Sequence, residues 1–369
     1  MKPAFILFAI VYLLIITDIR LMSEDLKNWK LYVVIYIGII FVSAYIYNPP
    51  SGGDLERYFQ MLQFCKGNSF SDSSQILNTL NNDNLVVRNF IFWLISNYFS
   101  FHLLPAISTA TVYGVGAYIV GDFSQSNNKI NDIPKILLWQ FMGLSYFAIV
   151  ANVRNIWAFS LIILAAYREI IKNKKNILTL ALYIAPCFLH TSAIVLILIR
   201  LILPIIKRLR YLLPLLIFLT EPLILFLYNN IGKIPSIFVP AINSAYNYLF
   251  LSTAWEETVN SSTIFLLQKI LMVSIAIIII IVIYLSIHEL SDSNLKLEYF
   301  ELSILLLCIA STVFTSPHYW RFYSAGVILI APTIVIYSNL ENNVFLLKLY
   351  KLLTLCLFAT FIYAIKLFA

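Results

Sequence analysis

Apolar runs follow one another along almost the whole of this chain, separated by short basic connections. They fall at roughly 3–17, 31–47, 102–121, 135–151, 155–171, 177–203, 211–228, 263–287, 299–315, 321–338 and 346–368. About 20 apolar residues cross a bilayer as a helix, and runs near 15 do so with local thinning or snorkelling flanks. Backbone in hydrocarbon must satisfy its own hydrogen bonds, which runs of this length do as helices. The expectation is an all-α, polytopic integral membrane protein in which residues 1–369 form a single membrane domain. Composition agrees. Of 369 residues, 61% are hydrophobic and 12% charged, against about 45–50% and about 25% in soluble domains.

Composition also removes whole classes of function. The net charge of +7 is the usual surplus of Lys and Arg in cytoplasmic loops, not the footprint of a nucleic-acid partner. Only 10 glycines occur, with no GxGxxG or Walker lysine motif. Cys65, Cys187, Cys308 and Cys356 show no CxxC spacing, which argues against a disulfide framework or a zinc site. No ligand pair has metal-binding spacing, so neither a metal nor another cofactor is expected. Ile16-Thr17-Asp18 is a poor cleavage site, so 3–17 reads as the first span.

Short basic connections belong in the cytoplasm. They contain Lys27 and Lys30, Lys129 and Lys135, Arg168 to Lys175, Lys207 to Arg210, Lys296, and Lys348 with Lys351. Run 177–203 has such a cluster on both sides and is interrupted by Pro186 and His190-Thr191-Ser192. Two short helices meeting near His190 resolve this: they enter from the cytoplasm and return, and about 13 residues reach roughly 20 Å. The scheme then closes on about ten crossings plus that broken-helix hairpin, and it puts Lys2, which flanks the first span, outside. Two long polar segments face outward. One is 48–101, with an amphipathic, half-inserted helix at 85–99 that carries Arg88; the other is 229–262, with Glu256 and Glu257.

In this topology Asp54, Arg154, His190 and Arg321 gather at the outer face. A charge in hydrocarbon costs roughly 2.5–3.5 kcal/mol on insertion scales, so their convergence asks for a chemical reason. Each has a structural alternative. The arginines can snorkel or anchor helix ends. Asp54 can pair with Arg57 or cap a helix. His190 can bond the broken backbone.

Four segments carry a resemblance to the EpsG family, a branch of the Wzy-like polysaccharide polymerases. They are Gly53-Asp54-x-x-x-Tyr58, Val153-Arg154-Asn155-Ile156-Trp157-Ala158, Phe188-Leu189-His190-Thr191-Ser192-Ala193 and Arg321-Phe322-Tyr323. The second is similar to an Arg-Gln pair in the family, from which Asn155 departs. The third is similar to Phe-His-x-Ser-Ala. Where family members often have an acidic residue and proline, this chain has Val87-Arg88. The resemblance implies a GT-C-type membrane glycosyltransferase. It would join undecaprenyl-pyrophosphate-linked repeat units, one as donor and one as acceptor, into capsular or exopolysaccharide at the outer face of the cytoplasmic membrane. A separate chain-length regulator is an implied partner.

That chemistry assigns roles. Arginine meets phosphate oxygens bidentately and stays charged, so Arg154 and Arg321 would hold the pyrophosphate. Asp54 or His190 would be the base, and the residues leave that choice open. Arg57, Arg88, Tyr58 and His318 are candidates for contact with phosphate or glycan. A flippase for the same lipid is the alternative; it would spread its arginines through the membrane depth and often show inverted repeats, and neither is visible here. A membrane O-acyltransferase would need its histidine on the inner side.

Overall fold

The computed structural model describes residues 29–49, 53–81, 83–206, 216–235, 297–312 and 319–337, with isolated helical residues within 239–281 and 351–359. Among them every regular element is helical. In chain order these are α1 (Trp29–Tyr45), α2 (Asp54–Cys65), α3 (Phe70–Asn81), α4 (Val86–Tyr98), α5 (Leu103–Ser126), α6 (Ile133–Gly143), α7 (Tyr146–Ala151), α8 (Asn155–Ile170), α9 (Ile177–Ile184), α10 (Ala193–Ile206), α11 (Leu216–Asn229), α12 (Leu297–Thr312) and α13 (Tyr319–Tyr337). Helix α5 is long and apolar enough to cross a membrane; α1, Ile177–Phe188 and Arg321–Ile330 are shorter apolar helices.

The core is built on α5 and α8. Helix α5 packs against α1, α8 and α13, and α8 also receives α9, α10 and α13. Two glycines make the α5 contacts close. A Cβ at Gly121 would fall inside the Trp29 indole, and one at Gly116 would collide with the Gln140 amide. Helix α8 is buried on most of its circumference, from Asn155 and Ile156 to Tyr167 and Ile170. A helix with no polar side is a central one.

The segment 48–101, expected as a loop around one half-inserted helix, is a bundle of three. Helix α2 buries Leu55, Tyr58, Met61, Leu62 and Cys65, the i, i+3, i+4, i+7 spacing of one helical face. Those residues meet α4, where Tyr58 lies edge-on to Phe92 at 6.1 Å. Helix α3 joins through polar contacts: the Asn89 amide donates to Ser74 Oγ and to Asn78 Oδ1, each at 2.8 Å. Helix α4 matches the expected amphipathic stretch within a residue of each end.

Run 135–151 also differs from a single span. It divides into α6 and α7 at Leu144-Ser145, where the Ser145 hydroxyl accepts from Ala148 N–H and starts the second helix. Run 177–203 breaks as its sequence suggests. Helix α9 ends in a 3-10 turn, Ala185–Phe188, and α10 begins at Ala193. The broken backbone is satisfied within the turn: His190 N–H donates to Pro186 C=O at 2.9 Å, and Ala193 N–H to His190 C=O at 3.0 Å. Both arms lie along α8.

Candidate functional site

The start of α8 is where the candidate residues meet. Asn152 donates to Ala148 C=O at 3.0 Å and closes α7. Val153-Arg154 turn the chain, and Arg154 C=O accepts from Ala158 N–H as the first α8 bond. A helix N-terminus presents unpaired N–H groups and a partial positive charge. Two consecutive residues there, Arg154 and Asn155, reach in different directions and connect two clusters.

Arg154 reaches toward the α2–α4 bundle. Its guanidinium lies 4.8 Å from the centroid of the Tyr58 ring, a cation–π geometry. Its Nη1 donates to Asn81 Oδ1 at a long 3.4 Å. Arg154 is only 9% exposed. Among the described residues its Nε has no hydrogen-bond partner and no carboxylate pairs with it.

Arg88 lies beside it but is differently occupied. It is fully buried. Nη1 donates to Asp83 Oδ1 at 2.5 Å, and Nε and Nη2 both donate to Asn89 Oδ1, at 3.0 and 2.8 Å. Burial lowers the Arg88 pKa from its usual value, Asp83 opposes that, and the like charge of Arg154 adds to it. Direct contact with an anion was the expectation for Arg88. Its Nε, Nη1 and Nη2 are each bonded, to Asp83 or Asn89. Tyr58 is likewise buried. It is 2% exposed, with its ring lying against Arg154 and Phe92 rather than open to a sugar.

Asn155 reaches the other way, to the hairpin and α13. It is 3% exposed. Arginine has only donors to offer, so Asn155 turns its oxygen to Arg321, accepting from Nη2 at 2.9 Å and Nε at 3.0 Å. The amide nitrogen then faces the His190 imidazole, donating to Nε2 and lying 2.8 Å from Nδ1. On its other side, Nδ1 lies 2.7 Å from Ser192 Oγ and 3.2 Å from Ser192 N. Arg321 is brought to this place by the packing of Phe322 on Phe159 of α8, with ring centroids 5.7 Å apart.

The sequence candidates therefore sort into groups. Arg154, Tyr58 and Arg88 share one cluster, and His190 and Arg321 share the second through Asn155. Asp54 sits in the first turn of α2 and is bonded to Arg57 at 2.8 Å, both side chains about half exposed. His318 lies outside the described residues. Sequence reasoning missed Asn155, Asn81 and Asp83 as members of the site. Asn155 had a signal in its position next to Arg154; Asn81 and Asp83, in a polar segment without a periodic pattern, had none. Among the described residues no group of three His, Cys, Asp or Glu side chains is placed to hold a metal ion. In comparisons with known proteins, no family model, no curated protein and no solved structure matches this chain.

Proposed function

We propose that this chain is a polytopic membrane glycosyltransferase that polymerises lipid-linked oligosaccharide repeat units at the outer face of the cytoplasmic membrane. The observation that carries the reading is Arg154. A guanidinium buried this far without a carboxylate is costly, and among the described residues it has none and its Nε is unspent. It stands at a helix N-terminus and next to a second, already compensated arginine. An anion of high charge density is the ligand that such a place accepts. Arg321, bonded to the adjacent Asn155, is the second guanidinium assigned to the pyrophosphate in this reading.

Membrane residence is supported by the surface. Large apolar side chains such as Val34, Val42, Ile177, Leu180, Leu201 and Phe226 are about half or more exposed, in a chain that is 61% hydrophobic. Lipid is the solvent that suits such a surface.

In the proposed reaction His190 is the base, and Asp54 is held by Arg57 at the loop edge. Neutral His190 takes the proton of the acceptor hydroxyl. The freed oxygen forms a bond to the anomeric carbon of the donor as the bond from that carbon to the pyrophosphate oxygen breaks. Undecaprenyl pyrophosphate leaves with the bonding pair, and Arg154 and Arg321 stabilise its developing charge.

Glycan ladders from cells carrying Arg154→Ala, His190→Ala or Arg321→Ala, matched for membrane protein level, test this reading. The expected outcome is collapse to single repeat units, with lipid-linked units accumulating outside. Accumulation on the cytoplasmic side would assign a flippase instead, and unchanged ladders would make the charged cluster structural.

A further inference from the structure

We propose that Glu169 is a positioning residue for His190, acting as a clamp on both arms of the hairpin; the inference rests on the reading of His190 as the base. Glu169 lies on α8 fourteen residues after Asn155 (169 − 155 = 14), roughly 21 Å along the helix. Its carboxylate grips both arms of the hairpin. Oε2 accepts from the Tyr183 hydroxyl of α9 at 2.7 Å and from Arg200 Nε of α10 at 3.3 Å, and Oε1 accepts from Arg200 Nη2 at 3.1 Å. The neighbouring Arg168 adds weaker bonds to the start of α9, to Thr179 Oγ1 at 3.3 Å and Asn176 Oδ1 at 3.4 Å.

The outward faces of these arms are apolar and exposed, including Ile177, Leu178, Leu180, Ile184 and Leu201. Apolar contact alone sets axial register poorly, because sliding along α8 exchanges one such contact for another. A two-armed polar grip on one carboxylate does set it. Arg200 and Glu169 side chains are 15% and 22% exposed, so the pair is less screened than a surface pair. A slip of one residue in α10 carries the apex about 1.5 Å along its axis and turns it by about 100°. Either displacement takes the imidazole away from Asn155, and misplacement by about 1 Å is enough to cost about a hundredfold in rate.

The test uses the full-length protein purified in lipid nanodiscs, with lipid-linked repeat units as substrate. Glu169→Gln keeps the shape and an acceptor for Tyr183 but discharges the grip on Arg200. The expected result is a kcat about tenfold lower or more with KM within about twofold. Arg200→Gln should give a similar loss, and the double variant no more than the worse single, since the two act as one unit. In parallel, amide hydrogen exchange should speed up in 186–193 and stay unchanged in α5. Wild-type kcat in folded Glu169→Gln protein, with unchanged exchange at 186–193, would overturn the inference. If wild-type protein makes no polymer, the reading of function fails, and the exchange at 186–193 still decides whether Glu169 holds the apex.

Discussion

Arg154 and Asn155 are neighbours in sequence with opposite tasks. Arg154 keeps its charge available because its support is a ring rather than a carboxylate. Cation–π contacts run from about 0.5–1 kcal/mol at exposed sites to about 2 kcal/mol when desolvated. Tyr58→Phe, which keeps the ring, should leave donor KM within about twofold. Tyr58→Leu should raise it by roughly threefold to thirtyfold on those magnitudes, measured by titrating donor lipid against purified protein. A second residue-scale prediction concerns Asn155. In Asn155→Asp a carboxylate faces both Arg321 and His190. It favours the imidazolium and raises the His190 pKa, with the Arg321 charge opposing part of the effect. A raised pKa keeps the base protonated to higher pH, so the acid limb of the kcat/KM profile should move up. An unmoved limb would remove His190 from the base role. Of these two residues Arg154 was legible as functional in the sequence, because an arginine beside an apolar run needs a reason, and Asn155 only as its neighbour. The Asn155 bridge joins residues far apart in the chain, and no local pattern encodes that.

At the scale of elements, a charge pair, Arg88 with Asp83, ties the start of α4 to the connection from α3. Removing one partner of a buried pair leaves an uncompensated charge and costs about 3–5 kcal/mol. Asp83 is 24% exposed, which places Asp83→Asn toward the lower end of that range. Thermal unfolding in detergent should show the loss, and Arg88→Met combined with Asp83→Asn should recover much of it. Elements were legible where hydrophobicity and breakers agree. The hairpin break at Pro186 and His190 and the bounds of α4 and α8 follow from run length, proline and amphipathic spacing. Helix α2 had a signal, helical apolar spacing after the candidate cap Asp54, that was read only as a possible cap, and α3 was not legible. Their sequences, DLERYFQMLQFC and FSDSSQILNTLN, mix polar and apolar residues, and α3 owes its placement to Asn and Ser contacts with α4. The split of run 135–151 was hidden as well, because a single serine cap weighs little against a continuous apolar composition.

For the whole molecule, α8 packs against both hairpin arms and α13, and its start reaches the α2–α4 bundle through Arg154. If the hairpin enters from the cytoplasm and turns at the outer face, a cysteine at Thr191 should react with a membrane-impermeant maleimide added to whole cells, and one at Lys174 only after permeabilisation. These variants belong in a background free of the four native cysteines. The opposite pattern would invert the topology and separate His190 from an outer substrate. The most direct measurement is polymer synthesis in proteoliposomes that hold only the purified protein and lipid-linked repeat units, resolved as a ladder by gel. Wild-type protein should convert single units into a ladder, while folded Arg154→Ala protein should leave them as single units. Wild-type vesicles that move the lipid between leaflets but lengthen nothing would contradict the central claim that this site makes glycosidic bonds.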